Sequence, residues 1–348
     1  MNKKFGFFYS LILILSLAFT SCGNSNSDLV GNWVATTTDF AGMARSDASS
    51  FVIGNKLYIF GGYNGKTRFS DLWSLDVSSG TSTVGSWTQL APLDTTATII
   101  NSATAHYARS LAVGFSIGSV GYIGTGYDGT NYMKDFWEYD PSTNKWTQIA
   151  DFIGAARCGS YSFALNSNGY VGGGTYDDNY LSDFYKYDPS TKAWTAETSV
   201  GKKRAYASTF VIGSVAYLVG GVNSSGYPTD FWAFDGTDWT AKRQIANVTD
   251  DSFDDDYNII RQGASTFVLN GLGYITCGNN GSLTKTTWEY NPSTDIWTEK
   301  TGFEKTVRMN AVSATVNGRC FVMIGKSGTS YLEDINEFFP TADYNSYD

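Results

Sequence analysis

The sequence predicts an all-β protein built from six copies of one four-stranded unit. Three observations lead there. Of 348 residues, 16% are aromatic, 16% are charged, 37 are glycine and only 6 are proline, a balance rich in turns and short of the charge pairs that coat helices. Nearly the same twelve residues recur, as WEYDPSTNKWTQ from Trp137, YKYDPSTKAWTA from Tyr185 and WEYNPSTDIWTE from Trp288. Finally, Arg45, Arg109, Arg157, Arg204, Arg261 and Arg308 are each followed seventeen residues later by a glycine: Gly62, Gly126, Gly174, Gly221, Gly278 and Gly325.

Between each arginine and its glycine lie an apolar alternating run, a turn such as IGNK or LNSNG, and a second apolar run. The second run carries Tyr58, Tyr122, Tyr170, Tyr217, Tyr274 or Phe321. This pattern reads as strand, turn, strand. Nine residues past the glycine, five copies place Asp71, Asp135, Asp183, Asp230 or Asp334, whereas the fifth copy has Thr286 one residue earlier. A third strand follows, bearing Trp73, Trp137, Tyr185, Trp232 or Trp288 and weakening to Asn336 in the sixth copy. The DPST turn then supplies an aspartate that bonds the backbone two residues on and a proline that presets the bend. A fourth strand opens on Trp87, Trp146, Trp194, Trp239 or Trp297.

Successive arginines stand 64, 48, 47, 57 and 47 residues apart. One such sheet cannot cover both of its faces, so it must stack on neighbouring copies. Repeats of about 50 residues with a glycine pair, as in YIFGG, YVGGG and YLVGG, and an aromatic hairpin resemble the kelch repeat, which builds β-propellers. The resemblance implies a six-bladed kelch-type β-propeller, four strands per blade, as a single domain over residues 29–348. The sixth copy lacks a fourth-strand tryptophan, and Trp33 stands twelve residues before Arg45, close to the eleven that separate Trp146 from Arg157 and Trp297 from Arg308. The N-terminal strand is therefore expected to complete the last blade and leave no open sheet edge.

The opening segment, MNKKFGFFYSLILILSLAFTSC, joins Lys3 and Lys4 to an apolar run ending at Phe19 and a small-residue step into Cys22. Residues 1–21 read as an export signal, and the run is short for a membrane span, which needs about 20 apolar residues. A cysteine at the cleavage point resembles a bacterial lipoprotein signal. That resemblance implies lipidation at Cys22, a flexible tether over 22–28, and a place in the cell envelope at the outer membrane, on either side of it. Membrane contact is then expected only through the lipid.

Losing residues 1–21 removes two lysines and no acid, leaving 22 basic against 33 acidic residues, a net of −11. Such a surface repels nucleic-acid phosphates. Cys158, Cys277 and Cys320 lie in apolar or small-residue segments and read as buried free thiols, with one disulfide left open.

Candidate site residues belong to the faces and the axial channel, because the blades are spent on packing. The six arginines begin the inner strands, and as a ring they could bind an acidic group through bidentate hydrogen bonds. Equally, each could pair with a loop aspartate and hold its blade. Tyr63, Tyr127 and Tyr176, one or two residues beyond the glycine pairs, could stack on sugar rings. Two loops are enlarged: Trp87 to Arg109 and Trp239 to Arg261 each span 22 residues. The first holds the protein's single histidine, His106, beside Tyr107, as a candidate general base or a hydrogen-bonded loop residue. The second concentrates Asp250, Asp251, Asp254, Asp255 and Asp256, without the glycine and terminal glutamate of a calcium loop.

The expected function is noncatalytic recognition of a glycan, peptide or envelope protein on the channel face, with no cofactor and no metal. The kelch resemblance also brings in two enzymes. Copper oxidation of galactose needs two histidine ligands, and one histidine excludes it. The exported six-bladed sialic acid epimerase interconverts anomers of an acidic sugar; that alternative needs an acid and a base, for which Asp47, Asp128 and Asp177 are candidates.

Overall fold

Each predicted repeat folds as four antiparallel strands in sequential order, hydrogen-bonded first to second to third to fourth. The computed structural model describes residues 29–79, 83–101, 106–246 and 257–348. Blade one consists of Ser49–Ile53, Lys56–Phe60, Leu72–Val77 and Gly85–Leu90. Inner strands of the next five blades are Val113–Ile117, Tyr161–Leu165, Ser208–Ile212, Ser265–Leu269 and Val312–Val316. In the last sheet, Asn32–Ala35 pairs antiparallel with Ile335–Phe339, Trp33 opposite Phe338. The N-terminal strand thus closes the ring as the outermost strand of blade six, and the edge it covers has no other partner. Among the described residues no helix is long and apolar enough to cross a membrane.

Blades interlock through an aromatic knob and a small hole. Phe51, Phe115, Phe163, Phe210 and Phe267 each stack on the tyrosine opposite in the second strand, ring centroids 4.9–5.4 Å apart. The outer face of each phenylalanine meets the following blade at Gly121, Gly169, Ala216, Gly273 or Cys320, and a Cβ added at the first two would lie 2.2 Å from the ring. In the sixth blade the knob shrinks to Ala314, and the matching hole in blade one is filled by Leu57. Volume is conserved across every seam, as close packing requires.

Three further systems run around the axis. The second glycine of each pair, φ between 90° and 105°, donates its N–H to the carbonyl of the next blade's arginine at 2.7–2.9 Å, from Gly62 to Arg109 and around to Gly325 to Arg45. That backbone needs glycine, and at Gly62 a Cβ would lie 2.7 Å from the Ser46 carbonyl. Lower in the channel Ser162, Thr209, Thr266 and Ser313 each donate a hydroxyl to the preceding blade's backbone at 2.7–3.2 Å. Ser162, Thr209 and Ser313 line an axial cavity of about 390 Å³ with Ser50 and Gly114. The third system forms the channel mouth.

Candidate functional site

Two residues after each arginine the backbone turns left-handed. Asp47, Leu111, Gly159, Tyr206, Gly263 and Asn310 have φ of 51–63°, and each donates its N–H to the carbonyl of the equivalent residue one blade back at 2.8–3.1 Å. These six bonds form a closed ring around a mouth of about 170 Å³. Bulky residues occupy this conformation at a cost, and the cyclic hydrogen bonding over-determines it. Asp47 accepts from the Asn310 amide and the Ser46 hydroxyl, each at 2.5 Å.

The six arginines do not line this mouth, and the expectation that they form a ligand ring is corrected. Arg45, Arg109, Arg157, Arg204, Arg261 and Arg308 are at most 1% exposed. Each Nη1 donates to the carbonyl sixteen residues on at 2.9–3.2 Å. Five of them pair with an aspartate at 2.5–2.8 Å: Asp71, Asp135, Asp183, Asp230 and Asp334. The same aspartates accept from Trp73, Trp137, Tyr185, Trp232 and Asn336 at 2.6–3.0 Å. A hydrogen-bond donor two residues past the aspartate is therefore what the third strand keeps, whichever side chain supplies it. Guanidiniums buried and paired in this way are closed off from a ligand in the mouth.

Above the mouth, the second-to-third-strand loops of blades six, one, two and three carry a continuous arc of rings. Tyr331 meets Tyr63 edge-on at 6.1 Å. The Arg68 guanidinium lies over Tyr63 at 4.5 Å and over Tyr127 at 4.9 Å, and its Nε donates to Ser110 Oγ at 3.1 Å. Tyr127 packs on Tyr132 at 4.9 Å, and Tyr132 on Tyr176 at 5.0 Å. Tyr63, Tyr127 and Tyr176, singled out from sequence, thus share one surface.

His106 Nδ1 stands 3.4 Å from Asp128 Oδ2, on a neighbouring rim pocket of about 570 Å³ that Tyr107 also lines, with Ser70, Asp94 and Thr130. Tyr107 packs as well toward Trp137, ring centroids 6.2 Å apart. Burial, offset by hydrogen bonds from Asn131 and Thr130 and by the His106 charge, leaves the Asp128 carboxyl below its ordinary range. Cys22 and the aspartates at 250, 251 and 254–256 lie outside the described residues. The three cysteines within them are free and buried, and burial pushes the Cys158 thiol up to about 12.

Residues 30–281 match the attractin/LZTR1 β-propeller family. The chain belongs to that family. Among solved structures, that of YjhT is similar to this attractin/LZTR1-type propeller with a TM-score of 0.67 at 16% identity, over 86% of this chain and 95% of the other. No curated protein is similar enough to match. Altogether 834 solved chains resemble the structure, and a fold shared so widely assigns no function by itself.

In this attractin/LZTR1-type propeller, sequence reasoning missed Arg68, Tyr132 and Tyr331. A signal was available. All three stand six residues beyond the second glycine of their blades, so extending the register past the glycine would have found them.

Proposed function

We propose that this attractin/LZTR1-type propeller is a noncatalytic recognition module that binds a carbohydrate on the tyrosine arc, held at the cell envelope by a lipid on Cys22. The observation behind the reading is the run Tyr331, Tyr63, Arg68, Tyr127, Tyr132, Tyr176, rings and guanidinium in unbroken contact across four blades. Phenol faces stack on the apolar faces of pyranose rings while their hydroxyls remain available to sugar hydroxyls. Tyr176 is 43% exposed, and a large aromatic is left in water at a cost that binding would recover.

The test is titration of the full chain with sugars found on a glycan array, repeated on Tyr132→Ala and Tyr176→Ala. Affinity should fall about fivefold in each, since one stacked aromatic contributes roughly 1 kcal/mol, with an unchanged melting temperature. A sugar bound equally by both variants, or a bare array, overturns the reading. For the anchor, Cys22→Ser should release the protein from the membrane fraction.

The His106–Asp128 pair favours a second reading, mutarotation of an acidic sugar. A proton-transferring pair flanking a pocket is what ring opening asks for, and Arg68 Nη1, packed over Gly129, stands beside it as a cation. Exchange between anomers measured by NMR decides it. Exchange at the uncatalysed rate dismisses catalysis and leaves the binder.

A further inference from the structure

We infer that the floor of the mouth binds an ammonium group, so that the carbohydrate recognised on the arc is an amino sugar with a free amine. This rests on the carbohydrate reading above. Asp47 is the one charged side chain lining the mouth, beside Leu111, Ser160, Tyr206, Ser208 and Asn310. Its two oxygens accept from the neutral groups of Asn310 and Ser46. No ion pair among the described residues includes it. A half-buried carboxylate solvated by neutral donors alone presents an uncompensated negative charge to whatever enters the mouth.

The charge count selects the ligand. Calcium takes 6–8 oxygen ligands and usually several carboxylates, whereas the mouth offers a single acid, and no group of three or more His, Cys, Asp or Glu side chains gathers anywhere among the described residues. A monovalent cation with N–H donors matches one carboxylate. The wall suits it as well: the Tyr206 ring lines the mouth, Asp47 is near enough that its charge adds to burial in raising that phenol, and an ammonium held beside an aromatic ring gains cation–π attraction. The rim cation Arg68 is committed to Tyr63, Tyr127 and Ser110 and is absent from the mouth lining. It would repel an amine at the arc while Asp47 attracts it at the floor, which orients the ligand amine-down. A mouth of about 170 Å³ holds the amine and one ring edge, and the rest of the ring lies against the arc.

The experiment is calorimetric titration of the full chain and its Asp47→Asn variant with glucosamine, glucose, N-acetylglucosamine and ethanolamine. Asparagine tolerates the left-handed backbone and still accepts from Asn310, so the variant should fold. Wild type should bind glucosamine about tenfold tighter than glucose or N-acetylglucosamine, the gain expected from one charge-assisted hydrogen bond. Ethanolamine should bind weakly, and Asp47→Asn should erase both amine effects. Equal binding of the three sugars, or an amine preference that survives Asp47→Asn, overturns the inference and leaves the carbohydrate reading standing. Ethanolamine bound through Asp47 with no sugar bound overturns the carbohydrate reading and leaves the ammonium site. No binding of any of the four overturns both.

Discussion

Arg261 Nη2 donates to the Thr286 hydroxyl at 2.8 Å, where every other blade sets its arginine against an aspartate. Two residues on, the Trp288 indole N–H, whose counterparts in blades one, two and four bond that aspartate, is buried without a partner among the described residues. Blade five has kept the donors and lost the acceptor. Burial pushes the Arg261 guanidinium down to about 10, because its desolvation outweighs what Cys277 and Glu299 give back, with no aspartate at position 286 to offset the rest.

Thr286→Asp should therefore stabilise the protein. The new carboxylate would meet a charge already buried and an indole already waiting, so its own desolvation is repaid in part. A gain of about 1 kcal/mol is expected from the added hydrogen bonds, read as a melting temperature higher by roughly 2 °C or more for a domain of this size. A lower melting temperature would mean that the carboxylate does not reach Arg261.

The complete pairs should behave in the opposite way. Arg109 and Asp135 are both fully buried, 2.8 Å apart. Arg109→Ala strands a carboxylate that also serves Trp137 and the His106 backbone, and should cost about 3–5 kcal/mol in urea unfolding. A loss below 1 kcal/mol would show that water replaces the guanidinium.

The knob and hole seams invite a double-mutant cycle. Gly169→Leu alone should cost about 3 kcal/mol or more by forcing a side chain into the Phe115 ring. Phe115→Ala alone should cost about 3–5 kcal/mol as a cavity. Together they recreate the Ala314 and Leu57 pairing of the closing seam, and the double variant should be more stable than the additive sum. Strict additivity would show that the seam is not read as paired volumes.

Acid should unfold the protein through the same ion pairs. At Asp183, Asp230 and Asp334 burial alone would raise the carboxyl, but Arg157, Arg204 and Arg308, with hydrogen bonds from Tyr185, Trp232 and Asn336, hold each below the usual range. A carboxyl lowered by folding contributes stability that is present above its unfolded value, about 3.9, and lost as pH falls through the lower folded value. Urea midpoints should hold from pH 7 to about 5 and then drop steeply below about 4. An Asp183→Asn variant should start lower and drop less. A midpoint independent of pH down to 3 would remove these pairs from the stability of the fold.

The strand order, the six-fold count and the closure by Trp33 were all legible in the chain, because each depends on local patterning: alternation, turn residues and a register that repeats. The glycines were legible for the same reason, since a left-handed turn excludes other residues wherever it occurs. The arginines show the limit. Their recurrence in every copy marked them as important but left open whether they face the channel or a blade's own aspartate, as that depends on how a guanidinium is aimed across a loop of 26 residues. Only the tertiary structure decided it, by burying all six. It also decided the site, because Tyr331 and Tyr63 are 268 residues apart in the chain and 6.1 Å apart in the ring, and Asp47 faces the mouth only because six blades close a circle of hydrogen bonds around it. Repetition along a chain specifies the unit; neighbourhood across blades follows from packing the units, where no single stretch of sequence records the contact.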